Sequence, residues 1–116
     1  FHGSPGVIGV GDGDVAVRLF QLERWINEGA KGRVIFFGSC STIDISDKRI
    51  QSFLDRTKAS AVVGFTELVD WLESAAFELL ILEALTYFPS PKDAEAHLKK
   101  KYGNFVDYLG LTFHHA

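Results

Sequence analysis

Two apolar runs of strand length, Arg33-Val-Ile-Phe-Phe-Gly-Ser39 and Ala59-Ser-Ala-Val-Val-Gly-Phe65, constrain this chain more than any other feature. Each is rich in Val, Ile or Phe and lacks polar alternation, the pattern of a strand covered on both faces. A segment of helical period separates them. Ser46 is placed to cap it, Asp47 suits the positive end of the helix dipole, and Ile50, Phe53 and Leu54 form one apolar stripe. Strand, helix, strand in that order implies a layered α/β domain with a mainly parallel sheet. The run Arg33 to Ser39 is expected to be a central strand of that sheet, buried on both faces.

The flanking sequence extends the pattern. Val7 to Val10 reads as a short strand, Gly11-Asp-Gly-Asp14 as a tight turn, and Val15 to Val17 as the partner strand. Leu19, Leu22 and Ile26 then fall at helical spacing, with Gly29 placed to close the helix. After Phe65, Thr66 is expected to cap a long helix reaching Tyr87, apolar nearly all round and therefore packed between layers. Ser90-Pro91-Lys92-Asp93 combines a cap, a proline at the first helical position and an acid three residues beyond the cap. Gly103 is expected to end that helix, Phe105 to Leu109 to add a further turn, and Leu111 to His114 to form a last short strand.

At 116 residues and 47% hydrophobic, the chain is long enough to bury a real core as one domain. Its net charge is −3 with acids and bases interspersed, which excludes the broad positive field of a nucleic-acid binder. The one basic run, Lys99-Lys100-Lys101, suits a helix C-terminus. A single cysteine excludes an internal disulfide framework and fits a reducing compartment, so a cytoplasmic location is expected. No signal-peptide pattern is present, and the apolar stretch Val69 to Phe88 is interrupted by Asp70, Glu73, Glu78 and Glu83, so no membrane span is expected.

No cofactor or metal is expected either. Gly9-Val-Gly11-Asp-Gly13 approaches a dinucleotide loop, but Asp14 stands where that fingerprint needs glycine and no helix begins there. Asp12 and Asp14 are accounted for by a turn. His114-His115 is an adjacent pair near a chain end, and Trp25 and Trp71 lack the basic groove of a stacking platform.

The chemistry-bearing residues are Cys40, where the first apolar run stops, and His2, beside Gly3 in a glycine turn. A thiol attacks as the thiolate, and at an unperturbed pKa of about 8.5 only a few per cent is ionised at neutral pH. His2 supplies the base if the fold brings it within hydrogen-bond reach. The backbone amides of Gly3 and Cys40 are candidate oxyanion donors, and Ser39 and Ser41 keep the surroundings of the thiol small. The competing reading is structural: a small buried hydrophobe at Cys40 and a solvated histidine at position 2.

His2-Gly3, the strand ending Gly38-Ser39-Cys40, the run Ala59 to Phe65 and the apolar helix containing Asp70-Trp71 together resemble the caspase-like cysteine peptidases, in particular the bacterial CHAT-type domains. The resemblance spans His2 to about Leu85. It implies a three-layer α/β fold with a mainly parallel central sheet, a polypeptide substrate, His2 as general base, Cys40 as the nucleophile forming a thioester acyl-enzyme, and Gly3 and Cys40 amides as oxyanion donors. Gly38-Ser39-Cys40-Ser41-Thr42 stands where caspases have Gln-Ala-Cys-x-Gly, so aspartate specificity is not implied.

The family sheet has more strands than this chain supplies, and the chain opens on Phe1 without a methionine. Residues 1–116 are therefore expected to be the C-terminal part of a larger caspase-like domain lacking its N-terminal strands. An open sheet edge would then favour a homo-oligomer or a partner domain that covers it. Ser39, Thr66, Glu67 and Asp70 follow core strands on the side expected to hold the substrate pocket, and the two acids would select a basic P1 side chain; an acid-rich first helical turn explains the same acids without a pocket. Two alternatives stand beside the peptidase: a catalytically inactive signalling or scaffold module of the same fold, and a domain binding a small phosphate ligand through its glycine turns.

Overall fold

The structure is a computed structural model that describes residues 2–10, 15–38, 41–67 and 70–116. Strands β1 (His2–Ser4), β2 (Val7–Val10) and β3 (Val15–Arg18) form an antiparallel sheet in that order, with His2 opposite Gly9 and Val7 opposite Arg18. The turn between β1 and β2 depends on Gly6 at φ 71°, a conformation costly for any residue with a Cβ. The expected turn Gly11 to Asp14 lies outside the described residues. Helix α1 (Leu19–Ile26) follows and passes into a 3-10 turn at Asn27–Ala30.

A second sheet runs β4 (Val34–Phe37), β5 (Ala61–Phe65), β6 (Leu111–His115), with β4 parallel and β6 antiparallel to β5. Helix α2 (Asp47–Thr57) joins β4 to β5; α3 (Trp71–Tyr87) and α4 (Pro91–Leu109) join β5 to β6. The period of two along β5 divides the core. Val62 packs with Leu19, Phe37, Ile50, Phe53 and Leu54 on the α1/α2 side. Val63 and Phe65 pack with Phe77, Ile81, Leu98 and Leu109 on the α3/α4 side. Ser46 and Ser90 cap α2 and α4 as the sequence implies, accepting from the backbone N–H of Arg49 and Asp93 at 3.2 Å each.

The mainly parallel caspase-like sheet expected from the sequence is not what the chain forms. The described residues form two three-stranded sheets, one antiparallel and one mixed, and among them only β4 and β5 pair in parallel. The α3–α4 hairpin explains the last strand. One helix after β5 returns the chain toward the start of that strand, and the second carries it back to the end, so Leu111 begins opposite Phe65 and β6 runs antiparallel.

Four local expectations are also corrected. β4 is an edge rather than a central strand, and Val34, Ile35 and Phe36 are only half-buried. The cap of α3 is Asp70 rather than Thr66. Helix α4 continues past Gly103 with a kink at Tyr102 (φ −127°, ψ 32°) and ends at Gly110, whose φ of 64° closes it. Finally, α3 packs through one face only, leaving Leu72 at 62%, Leu79 at 71% and Leu82 at 43% exposure.

Candidate functional site

The loop leaving β4 carries the candidate nucleophile. Ser39 and Cys40 lie outside the described residues, so the site is defined by what surrounds them. Ser41 adopts φ 57° and its carbonyl accepts from Asp44 N–H at 3.0 Å, which turns the chain immediately after Cys40. Thr42 and Ile43 are fully buried. Ile43 seats against the end of β5, where a Cβ on Gly64 would stand 3.2 Å from the Ile43 side chain and from Phe37 O; only glycine fits that approach without displacement. The loop is thus held by a core side chain.

It is held from the other side by the small sheet. Gly6 N–H donates to Thr42 O at 2.9 Å, and Thr42 Oγ1 donates to Val7 O at 3.4 Å. Leu19 N–H donates to Gly6 O at 3.0 Å, locking the same turn onto α1. The turn that follows His2-Gly3 is therefore docked on the loop that follows Cys40. His2 and Gly3 are not in a glycine turn, as the sequence suggested, but in β1, with Gly3 paired to Ile8. The side-chain geometry of His2 and Cys40 lies outside the described residues.

The remaining candidates separate. Thr66 sits on the end of α4: its N–H donates to Gly110 O at 2.9 Å and its Oγ1 to the same oxygen at 3.2 Å. Glu67 is exposed beside Gly110, where an added Cβ would meet Glu67 Cγ at 2.7 Å. Asp70 is exposed, and its Oδ1 accepts from Leu72 and Glu73 N–H at 2.9 and 3.1 Å, the work of a helix cap. Thr66 and Glu67 thus share the Gly110 junction, and Asp70 serves α3.

Two polar contacts were not anticipated. Glu23 is buried and its Oε1 meets the Arg49 guanidinium at 2.9 Å, tying α1 to α2, while Oε2 has no hydrogen-bond partner among the described residues. The available signal was position: Glu23 lies four residues after Leu19 and Arg49 four before Phe53, each on an apolar stripe. The second is His115 Nε2 at 2.9 Å from Glu95 Oε1, with Lys99 Nζ at 3.2 Å from Glu95 Oε2. Burial pushes the Glu95 carboxyl up, but the bonds from His115 and Lys99 outweigh it and hold the group below its ordinary value. His114 is depressed, mainly by burial. Neighbouring strand residues face opposite sides, so His114 and His115 do not converge as a metal pair. No cluster of three or more His, Cys, Asp or Glu side chains suited to a metal occurs among the described residues.

Between α3 and α4, Leu72, Glu73, Ala76, Phe77, Leu80 and Phe105 line an apolar groove of about 290 Å³. Among the described residues no helix is long and apolar enough to cross a membrane. No family model, no curated protein and no solved structure matches this chain.

Proposed function

We propose that the chain carries a cysteine endopeptidase site of the caspase-like chemical type, with Cys40 as nucleophile and His2 as general base. The observation that supports this is the hydrogen bond from Gly6 N–H to Thr42 O, which joins the segment after His2-Gly3 to the segment after Cys40. The reading rests on the two motifs and that junction, on a sheet unlike the one they imply. In the first step the His2 imidazole takes the Cys40 proton and the thiolate attacks the peptide carbonyl carbon. The amides of Gly3 and Cys40 receive the developing oxyanion. The C–N bond breaks as imidazolium protonates the leaving amine, and water activated by His2 hydrolyses the thioester, restoring the thiol and releasing the acid. Glu67, exposed beyond the end of β5, supports a preference for basic P1 side chains. The lone cysteine fits a reducing compartment such as the cytoplasm.

Turnover of P1-Arg, P1-Lys and P1-Asp peptides tests the proposal. The expected result is basic-selective cleavage abolished in Cys40→Ala and reduced by about 10²-fold or more in His2→Ala. Undiminished cleavage in Cys40→Ala removes the nucleophile, and equal or Asp-biased turnover removes the P1 assignment. A second reading, a non-catalytic interaction module, is favoured by the bare face of α3 and the open edge of β4. Absence of Cys40-dependent turnover on all three peptides favours it over the enzyme.

A further inference from the structure

Phe77 gathers both helices of the α3–α4 hairpin around one point. Its ring stacks on Phe105 at 5.6 Å and meets Tyr102 edge-on at 6.0 Å. The apolar groove that Phe77 lines follows α3 from Leu72 to Leu80, with Phe105 as the wall contributed by α4. Eight residues of helix rise about 12 Å, so a volume of about 290 Å³ leaves a channel about 5 Å wide and deep.

That size selects the occupant. An α-helix with its side chains is about 10–12 Å across and does not enter. An extended peptide would bring backbone N–H and C=O groups against a lining that is apolar except for Glu73, at the cost of leaving them unpaired. One extended alkyl chain fits, since its carbons sit about 4 Å from the atoms they touch. Three bonds of an extended chain advance about 3.5 Å, so about ten carbons span the groove.

Charge sets the head group and its direction. Phe88 at the end of α3 meets His97, and Phe77 meets Tyr102, so the two helices are antiparallel neighbours. Residues before Tyr102 therefore lie toward the Leu80 end of the groove, and Glu73 stands toward the other end. Lys101 Nζ lies 5.5 Å from the centre of the Tyr102 ring. Lys99, Lys100 and Lys101 line a recess of about 480 Å³ that shares Phe105 with the groove. Lys99 is held by Glu95 at 3.2 Å, whereas Lys100 and Lys101 are exposed and have no ion-pair partner among the described residues.

We propose that the α3–α4 groove binds a single-chain anionic amphiphile, a free fatty carboxylate of about ten carbons, with its chain along Leu72 to Leu80 and its head group at Lys100 and Lys101. Glu73 repels the carboxylate from the opposite end, which fixes the direction of the chain. The channel admits one chain at a time, so the ligand is the monomer rather than a bilayer surface. The site is independent of the thiol chemistry.

Calorimetric titration of the 116-residue protein with decanoate tests the proposal, with far-UV circular dichroism to confirm that each variant is folded. Saturable binding of one decanoate per chain is expected below the concentration at which it forms micelles. Hexanoate, four methylenes shorter, binds about tenfold or more weakly. Decyltrimethylammonium, with the same chain and the opposite charge, is weaker by about the same factor. Ala76 is exposed on α3, so Ala76→Trp fills the groove without entering the core and weakens binding about tenfold or more. Lys100→Glu with Lys101→Glu weakens it about tenfold. Absence of saturation below the micelle concentration overturns the proposal, as does equal affinity for the cationic amphiphile or binding that Ala76→Trp leaves unchanged. Co-sedimentation with vesicles of phosphatidylglycerol and phosphatidylcholine in the absence of monomer binding also overturns it, in favour of a membrane surface.

Discussion

At Gly110 two requirements meet in one residue. Its φ of 64° closes α4, and an added Cβ would lie 2.5 Å from Thr66 Oγ1 and 3.2 Å from the backbone N of Glu67. Gly110→Ala is therefore expected to cost more than the left-handed conformation alone, about 2 kcal/mol or more by urea denaturation. Asp70→Ala should cost about 1 kcal/mol by losing the bonds to Leu72 and Glu73 N–H, and Asp70→Asn should retain most of that stability. An Asp70→Asn loss as large as that of Asp70→Ala would show that the cap is not the relevant interaction. Caps at Ser46 and Ser90 were legible because each stands directly before a first-turn residue that suits a helix start, Asp47 and Pro91. Between Phe65 and Trp71 both Thr66 and Asp70 are competent. Thr66 gives its hydroxyl hydrogen to Gly110 O, a partner 44 residues away that no local pattern reveals, so the helix starts at the second candidate.

Elements acquire their environment from neighbours, and here composition misleads. The β4 and β5 runs are equally apolar, yet β5 is buried at every residue and β4 is half-exposed at its first three. Phe65→Ala is expected to cost about 3–5 kcal/mol, with Phe36→Ala distinctly less, reversing the ranking implied by a central β4. Strand β6 contributes a pH response in two windows. His114 has a depressed pKa, so the unfolded chain takes up the proton first as pH falls below about 6.5, and the stability due to the neutral ring is lost through that window. Asp47, Glu95 and His115 all act on that ring. Glu95 is held below 4.5 in the fold, so its contribution is present above that pH and is lost as pH falls further through the folded value. Stability measured from pH 7 to 3 should therefore fall in two stages. His114→Asn should flatten the upper stage and Glu95→Gln the lower; unchanged profiles in both variants would contradict the assignment.

Across the whole molecule, sequence order identified the strands from β2 onward and the helices, but neither β1 nor how the strands share sheets. The α3–α4 hairpin reverses β6, which pairs with the distant β5, and β1 to β3 pair locally with one another as a separate antiparallel unit. Of the candidate site, the sequence offered Cys40 as a lone thiol just beyond an apolar run, whereas the contacts that hold the loop after it were not legible. Thr42 receives the Gly6 amide across 36 positions, and Gly64 makes room for Ile43. Activation of the Cys40 thiol by His2 is read from the rate at which an acyl-type electrophile labels Cys40 as a function of pH. Labelling faster than that of glutathione is expected below the ordinary thiol pKa of about 8.5, with the advantage lost in His2→Ala. A rate equal to that of glutathione, or one that His2→Ala leaves unchanged, would contradict it.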